Sequence, residues 1–239
     1  MKWSNILIVC AMVVFLGTLT AFNFGLRSVY RSGEYKKPFS GYDRADTGRV
    51  TELYLRNAER FNVQVRTGQH GLWIKKGLRD KVLVKREGGR LTVSFRDSLE
   101  LDSKGYGDND LILQTDGLAS LTTDASQKMA FWFSDQYAYG NVNLVGLSGD
   151  SLSLNIGRYT RVNVFLAKLG KLHAGIRGEG DPYGVLYLDR TSKLAQLDLN
   201  IPGAGSVEID DTEIGRTNFN ISDSAVVRLK GRALVNLRR

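Results

Sequence analysis

The 239-residue sequence contains one cysteine, three prolines and two histidines. A lone cysteine, Cys10, excludes an intramolecular disulfide, so cohesion must come from burial, and cysteine usage does not reveal the redox compartment. The histidines, His70 and His173, have no metal-ligating partner two or four residues away, and both read as surface or turn residues. No Gly-x-Ser-x-Gly elbow is present. The stretch 102–110, DSKGYGDND, gathers Asp102, Asp108 and Asp110 without the spacing or terminal glutamate of a calcium loop, and reads as a solvated turn. No metal or cofactor is expected. Charge is not extreme: the formal net charge is +8, of which Lys2 and Arg27 supply two in the acid-free first 27 residues. Five basic residues crowd the end (Arg228, Lys230, Arg232, Arg238, Arg239) with no recognition motif or stacking platform, so no nucleic-acid partner is expected.

Long apolar runs are confined to one place. Residues 6–24, ILIVCAMVVFLGTLTAFNF, carry no charge. Nineteen residues at about 1.5 Å each reach about 28 Å, the thickness of a bilayer core, and Trp3 and Tyr30 flank the run as interfacial aromatics do. The nearest signal-peptidase exit, Leu19-Thr20-Ala21, places a bulky residue where a small one is needed, and Leu7-Ile8-Val9-Cys10 is not a lipoprotein box. An uncleaved single-span anchor is the preferred reading, with the C-terminal part facing the periplasm or exterior. The flanking charges oppose that orientation: Lys2 and the α-amine lie on one side, Arg27, Arg31, Lys36 and Lys37 on the other. The division expected is an anchor over 1–30, a polar linker over 31–48 and a body over 49–239.

The whole chain has 42% hydrophobic residues and 26 glycines, most of the glycines lying in the body. Apolar residues alternate with polar ones at Leu53 and Leu55, at Phe61, Val63 and Val65, at Val82 and Val84, and at Leu91, Val93 and Phe95. Gly68, Gly71, Gly77 and Gly88-Gly89 fall between them as turn residues do. No window beyond residue 30 sustains a helical period with caps, so essentially no helix is expected there. In the second half Leu199, Ile201, Val207 and Ile209 recur as Phe219, Ile221, Val227 and Leu229 at an interval of 20, and Val142-Asn143-Leu144 recurs as Val162-Asn163-Val164. The interval stretches to 23 from Val162 to Val185 and to 22 from Val185 to Val207. Such periods predict an all-β fold, a right-handed parallel β-helix of about six turns over 110–237, preceded by one transmembrane helix. Alternation turns Asn200 and Asn220 outward, one above the other, with Ile201 and Ile221 inward.

That register also decides how to read 199–210, LNIPGAGSVEID. A phosphate-cradling glycine loop must open a helix, whereas Val207-Glu208-Ile209 continues an alternating run, so Gly203 and Gly205 mark a corner. With these turns in place, the segment 53–95, LYLRNAERFNVQVRTGQHGLWIKKGLRDKVLVKREGGRLTVSF, resembles the opening of the head GIN domains of auto-transporter adhesin-like proteins. LDLNIPGAGSVEIDDTEI (197–214) and FNISDSAVVRLKGRAL (219–234) resemble their later repeats, and the likeness covers roughly 45–237. It implies a bacterial envelope protein with a β-helical fold and an adhesive role. The anchor without a lipobox and Pro202 at a site where a small residue is common depart from the pattern.

One stretch breaks the alternation: MAFWFSDQYAYG (129–140) holds five aromatics in twelve residues. Phe131 and Phe133 are expected to face outward beside Tyr137 and Tyr139. Either the N-terminal strands or a neighbouring chain in an oligomer cover them, or they form a strip that binds glycan or protein. The function expected is a membrane-anchored, envelope-facing binding, adhesion or structural module without catalytic chemistry. The alternative is a carbohydrate-active enzyme, a polysaccharide lyase or hydrolase, on the same scaffold.

Overall fold

The computed structural model describes residues 3–33, 39–96, 109–125, 140–177 and 184–236. The chain divides into two compact units, Met1–Tyr42 and Asp43–Arg239.

The first unit is built on helix α1, Trp3–Ser32. Its sequence is free of proline and rich in Leu, Val and Phe, and nothing interrupts the ladder until Gly33 turns the chain at φ 64. The Thr18 hydroxyl donates to the carbonyls of Val14 and Phe15, and the Thr20 hydroxyl to that of Leu16, so the two threonines spend their polarity inside the helix. Residues 5–32 are long and apolar enough to cross a bilayer, and none of the most apolar window is buried by protein. Phe15, Phe22 and Leu16 are all exposed on it. Helices of this length and composition occur as membrane spans and as targeting segments.

The second unit is made of short strands. In the first half these are β1 Tyr42–Ala45, β2 Glu52–Arg56, β3 Asn62–Arg66, β4 Gly71–Lys75, β5 Val82–Glu87, β6 Arg90–Phe95, β7 Leu111–Gln114 and β8 Ser120–Asp124. The second half adds β9 Gly140–Val145, β10 Ser148–Ile156, β11 Thr160–Phe165, β12 Lys168–Ile176 and β13 Val185–Leu188. It ends with β14 Lys193–Ile201, β15 Ser206–Asp210, β16 Glu213–Ile221, β17 Val226–Lys230 and a short helix α2, Arg232–Asn236. Nine strands form sheet A in the order β1-β4-β7-β3-β9-β11-β13-β15-β17, and eight form sheet B in the order β16-β14-β12-β10-β8-β2-β6-β5. The inward positions of both sheets stack into one core: Val142, Val162, Leu186 and Val207 are paired along sheet A, and Leu154, Ala174 and Leu199 along sheet B, all essentially inaccessible. Phe61 and Phe95, stacked at 4.2 Å, fill the core towards the N-terminal end.

The expectation of a right-handed parallel β-helix is corrected by this topology. Both sheets are mixed: β4 runs antiparallel to β7, and β5 antiparallel to β6. Strand order is also broken, because β3 lies between β7 and β9, and β2 between β6 and β8. The reason is local. Gly88, at φ 60, and Gly89 make a two-residue turn that folds β5 back on β6, a hairpin that a uniform stack of turns does not contain. Among the described residues, helix after residue 45 is limited to a single turn at Ala58–Arg60 and to α2.

The 20-residue interval survives as a pairing register. Asn143 sits beside Asn163 and Asn200 beside Asn220 in parallel ladders, and each pair is joined side chain to side chain at 2.9 Å. At β13 the expected register is off by one residue: Val185 pairs with Arg161 and Ser206, and it is Leu186 that aligns with Val162 and Val207. Adjacent apolar residues leave alternation ambiguous by one position, and the sheet resolves it in favour of Leu186.

Corners between sheets are closed by side chains. Ser192 donates to the Val164 carbonyl and accepts from the Ala167 amide, while Thr212 donates to the Leu188 carbonyl. At the 202–205 corner, a Cβ on Gly205 would lie 2.7 Å from the Ile201 methyl, which accounts for the second glycine of the sequence PGAG.

Candidate binding surface

The outer face of sheet A carries the densest set of polar and aromatic contacts among the described residues. Parallel pairing lines up Gln64, Asn143, Asn163, Tyr187, Glu208 and Arg228 in one outward row crossing β3, β9, β11, β13, β15 and β17. Each owes its place to alternation: its sequence neighbours on both sides are inward and apolar.

Arg161 ties this row together. Its Nε donates to Asn163 Oδ1 at 3.0 Å, its guanidinium lies 5.5 Å from the centre of the Tyr187 ring, and its far nitrogen reaches Glu208 at 3.0 Å. Arg161 therefore spans from β11 over β13 to β15. Glu208 takes a second arginine, Arg228, at 3.1 Å. Phe165 approaches the Tyr187 ring at 6.1 Å, and the Tyr187 hydroxyl donates to Asp210 at 3.4 Å, which also holds Arg190 at 3.2 Å.

Burial, then the nearby Asp210 and Asp189 carboxylates, raise the Tyr187 hydroxyl above its usual value, so it remains a neutral donor at physiological pH. For Asp189 burial works in the opposite sense, yet the hydroxyl and amide of Thr191 hold its carboxyl below the usual range. Glu208 and Asp210 are thus committed to arginine or tyrosine, and Asp189 to Thr191. The row offers amides, a ring face, guanidinium groups and carboxylate edges, which suit recognition of a hydroxyl-rich or mixed-polarity partner.

Sheet B turns a second polar face outward. Lys171 binds Asp198 at 2.6 Å, Gln196 donates to the same carboxylate at 2.8 Å, and His173 pairs with Asp198 across the strands. Hydrogen bonds from Lys171 and Gln196 keep the Asp198 carboxyl below its ordinary value.

Of the residues nominated from sequence, Phe131, Phe133, Tyr137 and Tyr139 lie outside the described residues, as do Asp102 and Asp108. Asp110 is engaged structurally, its carboxylate accepting the Asn62 amide at 2.8 Å. His70 lies 3.6 Å from Asp116, and among the described residues no three His, Cys, Asp or Glu side chains gather to hold a metal. Arg161, Phe165, Tyr187 and Glu208 escaped sequence reading because they are far apart in the chain. Their signal was positional: all are polar or aromatic residues at outward positions, brought together only by intervals of 24 and 21 residues across β13.

No protein-family model matches the chain, and no curated protein matches it in sequence. Solved structures do resemble it. A crystal structure named as a "putative adhesin" from Bacteroides fragilis superposes with a TM-score of 0.50 at 10% identity, covering 79% of this chain and 96% of the other. Two further structures so named follow at TM-scores of 0.48. One, from Parabacteroides distasonis, has 13% identity and covers 78% of this chain and 71% of that one; the other, from Parabacteroides merdae, has 12% identity and covers 79% and 80%. At 10% identity the first likeness is one of fold alone.

Proposed function

We propose that this chain is a non-catalytic binding or adhesion module of the head GIN type, tethered by α1 and facing the cell envelope, whose sheet A outer row takes a glycan. The observation that carries the reading is the Arg161-centred row. A tyrosine ring and a pair of stacked amides, pre-oriented by arginine–carboxylate pairs, supply the stacking and hydrogen-bonding groups that sugars require. The shared fold of the Bacteroides fragilis structure, and the apolar surface of α1, support the same reading.

Full-length protein in detergent micelles, passed over a panel of immobilised neutral and acidic polysaccharides, should bind at least one saturably. Arg161→Ala should weaken that binding about tenfold or more while changing thermal unfolding only modestly, since a solvent-accessible ion pair contributes little to stability. Folded protein that binds nothing on the panel defeats the proposal, and new reducing ends or unsaturated product would replace it with the enzyme reading. Orientation has its own test, because the charges flanking the helix argue against export. Protease added to spheroplasts should digest the body while sparing a cytosolic control; complete protection would place it inside.

A further inference from the structure

Charge is unevenly distributed along the body. Residues 43–96 contain 13 Lys and Arg against 6 Asp and Glu, whereas residues 97–239 contain 15 against 18. The topology gathers the basic portion at one end: β1 and β4 are the outermost strands of sheet A, and β5 is the outermost strand of sheet B. The 76–81 crossing from β4 to β5, KGLRDK, joins the two sheets at that end. Lys76 and Arg79 are exposed and Lys81 is partly exposed, and none of the three makes an ion pair among the described residues. Beside them, on the outer face of edge strand β5, Leu83 is 44% exposed, a large apolar side chain in line with Lys85 and Glu87.

Chain length sets how far this end is from the tether. Nine residues, 33–41, separate α1 from β1, and nine extended residues reach at most about 32 Å. The linkage gives the basic end a high effective concentration at whichever membrane surface α1 leaves, so weak contacts suffice to populate a docked state. Each Lys or Arg at an anionic surface contributes about a fivefold preference, attenuated within a Debye length. The exposed leucine adds an apolar group of the kind that settles at a headgroup boundary.

We infer that the end of the body formed by β1, β4, the 76–81 crossing and β5 is a docking surface for anionic phospholipid headgroups. This rests on the reading of α1 as an anchor, and it holds for either orientation. Its effect is to lay the basic end against the bilayer and leave the opposite end, at β16 and β17, pointing away from it.

The test uses the full chain reconstituted into vesicles of phosphatidylcholine alone or with roughly one-third phosphatidylglycerol. Amide exchange over residues 76–86 should slow about tenfold or more in the anionic vesicles at low salt, and the difference should vanish at high salt. The triple variant K76Q/R79Q/K81Q should lose the difference, while Lys230→Gln at the far end should keep it. Equal exchange in both vesicles, in a protein that resists alkaline extraction, overturns the docking. So does slowing in neutral vesicles on adding soluble dextran sulfate without any response to phosphatidylglycerol, which would make the end an acidic-polymer site. Extraction by alkali defeats the anchor reading itself, a result distinct from both.

Discussion

Gly140, the first residue of β9, illustrates how tightly single positions are specified. A Cβ there would fall 1.7 Å from the Ala58 carbonyl oxygen, in backbone that belongs to the next layer and has no flexible side chain to move. Gly140→Ala should therefore destabilise by about 3 kcal/mol or more, measured by urea unfolding of the purified protein. The stacked asparagines test the same register from the other side. Asn220→Leu should be nearly neutral, since Asn220 is exposed and loses one surface amide contact. Ile201→Asn should cost about 3 kcal/mol or more, because Ile201 is wholly inaccessible and its replacement buries an amide with no partner. Ile221 is the milder site of the pair: it is only half-buried, because β16 is the last strand of sheet B. Sequence alone treated the two isoleucines as equivalent; only the position of the sheet edge separates them.

At the scale of elements, several of the corners leading from sheet A to sheet B share a backbone conformation. Gly146, Leu166 and Asp211 hold left-handed backbone at such corners, at φ 68, φ 54 and φ 53, and Gly231, between β17 and α2, does the same at φ 61. A branched-chain residue pays for that conformation where glycine does not, at about 1–2 kcal/mol. Leu166 is also more than half exposed, so its side chain returns little. Leu166→Gly should raise stability by up to about 1 kcal/mol after the entropy that glycine adds to the unfolded chain. Asp211 has an offsetting role, since its carboxylate accepts the Arg232 amide at 2.9 Å and so holds the start of α2; Asp211→Ala should lower the melting temperature.

The acidic side chains along these strands set a pH dependence. Asp198, Asp211 and Glu213 are each held below their unfolded values of 3.8, 3.8 and 4.5: Asp198 by Lys171 and Gln196, Asp211 by the Arg232 amide, Glu213 by Lys193. A carboxyl with a lowered folded value stabilises the protein above its unfolded value, and that contribution disappears as pH falls through the folded one. The melting temperature should thus drop as pH is lowered below about 4.5, and Asp198→Asn should make the drop shallower. At the other extreme Tyr187 is raised, so its contribution is complete below pH 10.0 and is lost as pH rises beyond it.

For the whole molecule, α1 and the β body are separate compact units, and the body has its own continuous core. Removing residues 1–42 should leave a protein that stays in the supernatant after high-speed centrifugation and still unfolds in one cooperative transition. A body that aggregates or loses its transition would show that the helix is part of the fold.

By itself, the sequence determined whatever depends on near neighbours. The single charge-free apolar run, the strands, the glycine corners and the 20-residue stacking of Asn143 on Asn163 and Asn200 on Asn220 all follow from local propensity and alternation. Tertiary structure decided what depends on which strands meet. Alternation states which face a residue takes but not the order of strands in a sheet, so the insertion of β3 beside β9, the antiparallel β4 and β5, and the one-residue shift at β13 were beyond it. The Arg161 row is of the same kind: its residues lie 47 positions apart from Arg161 to Glu208, and a side chain becomes part of a surface only when pairing brings its neighbours alongside.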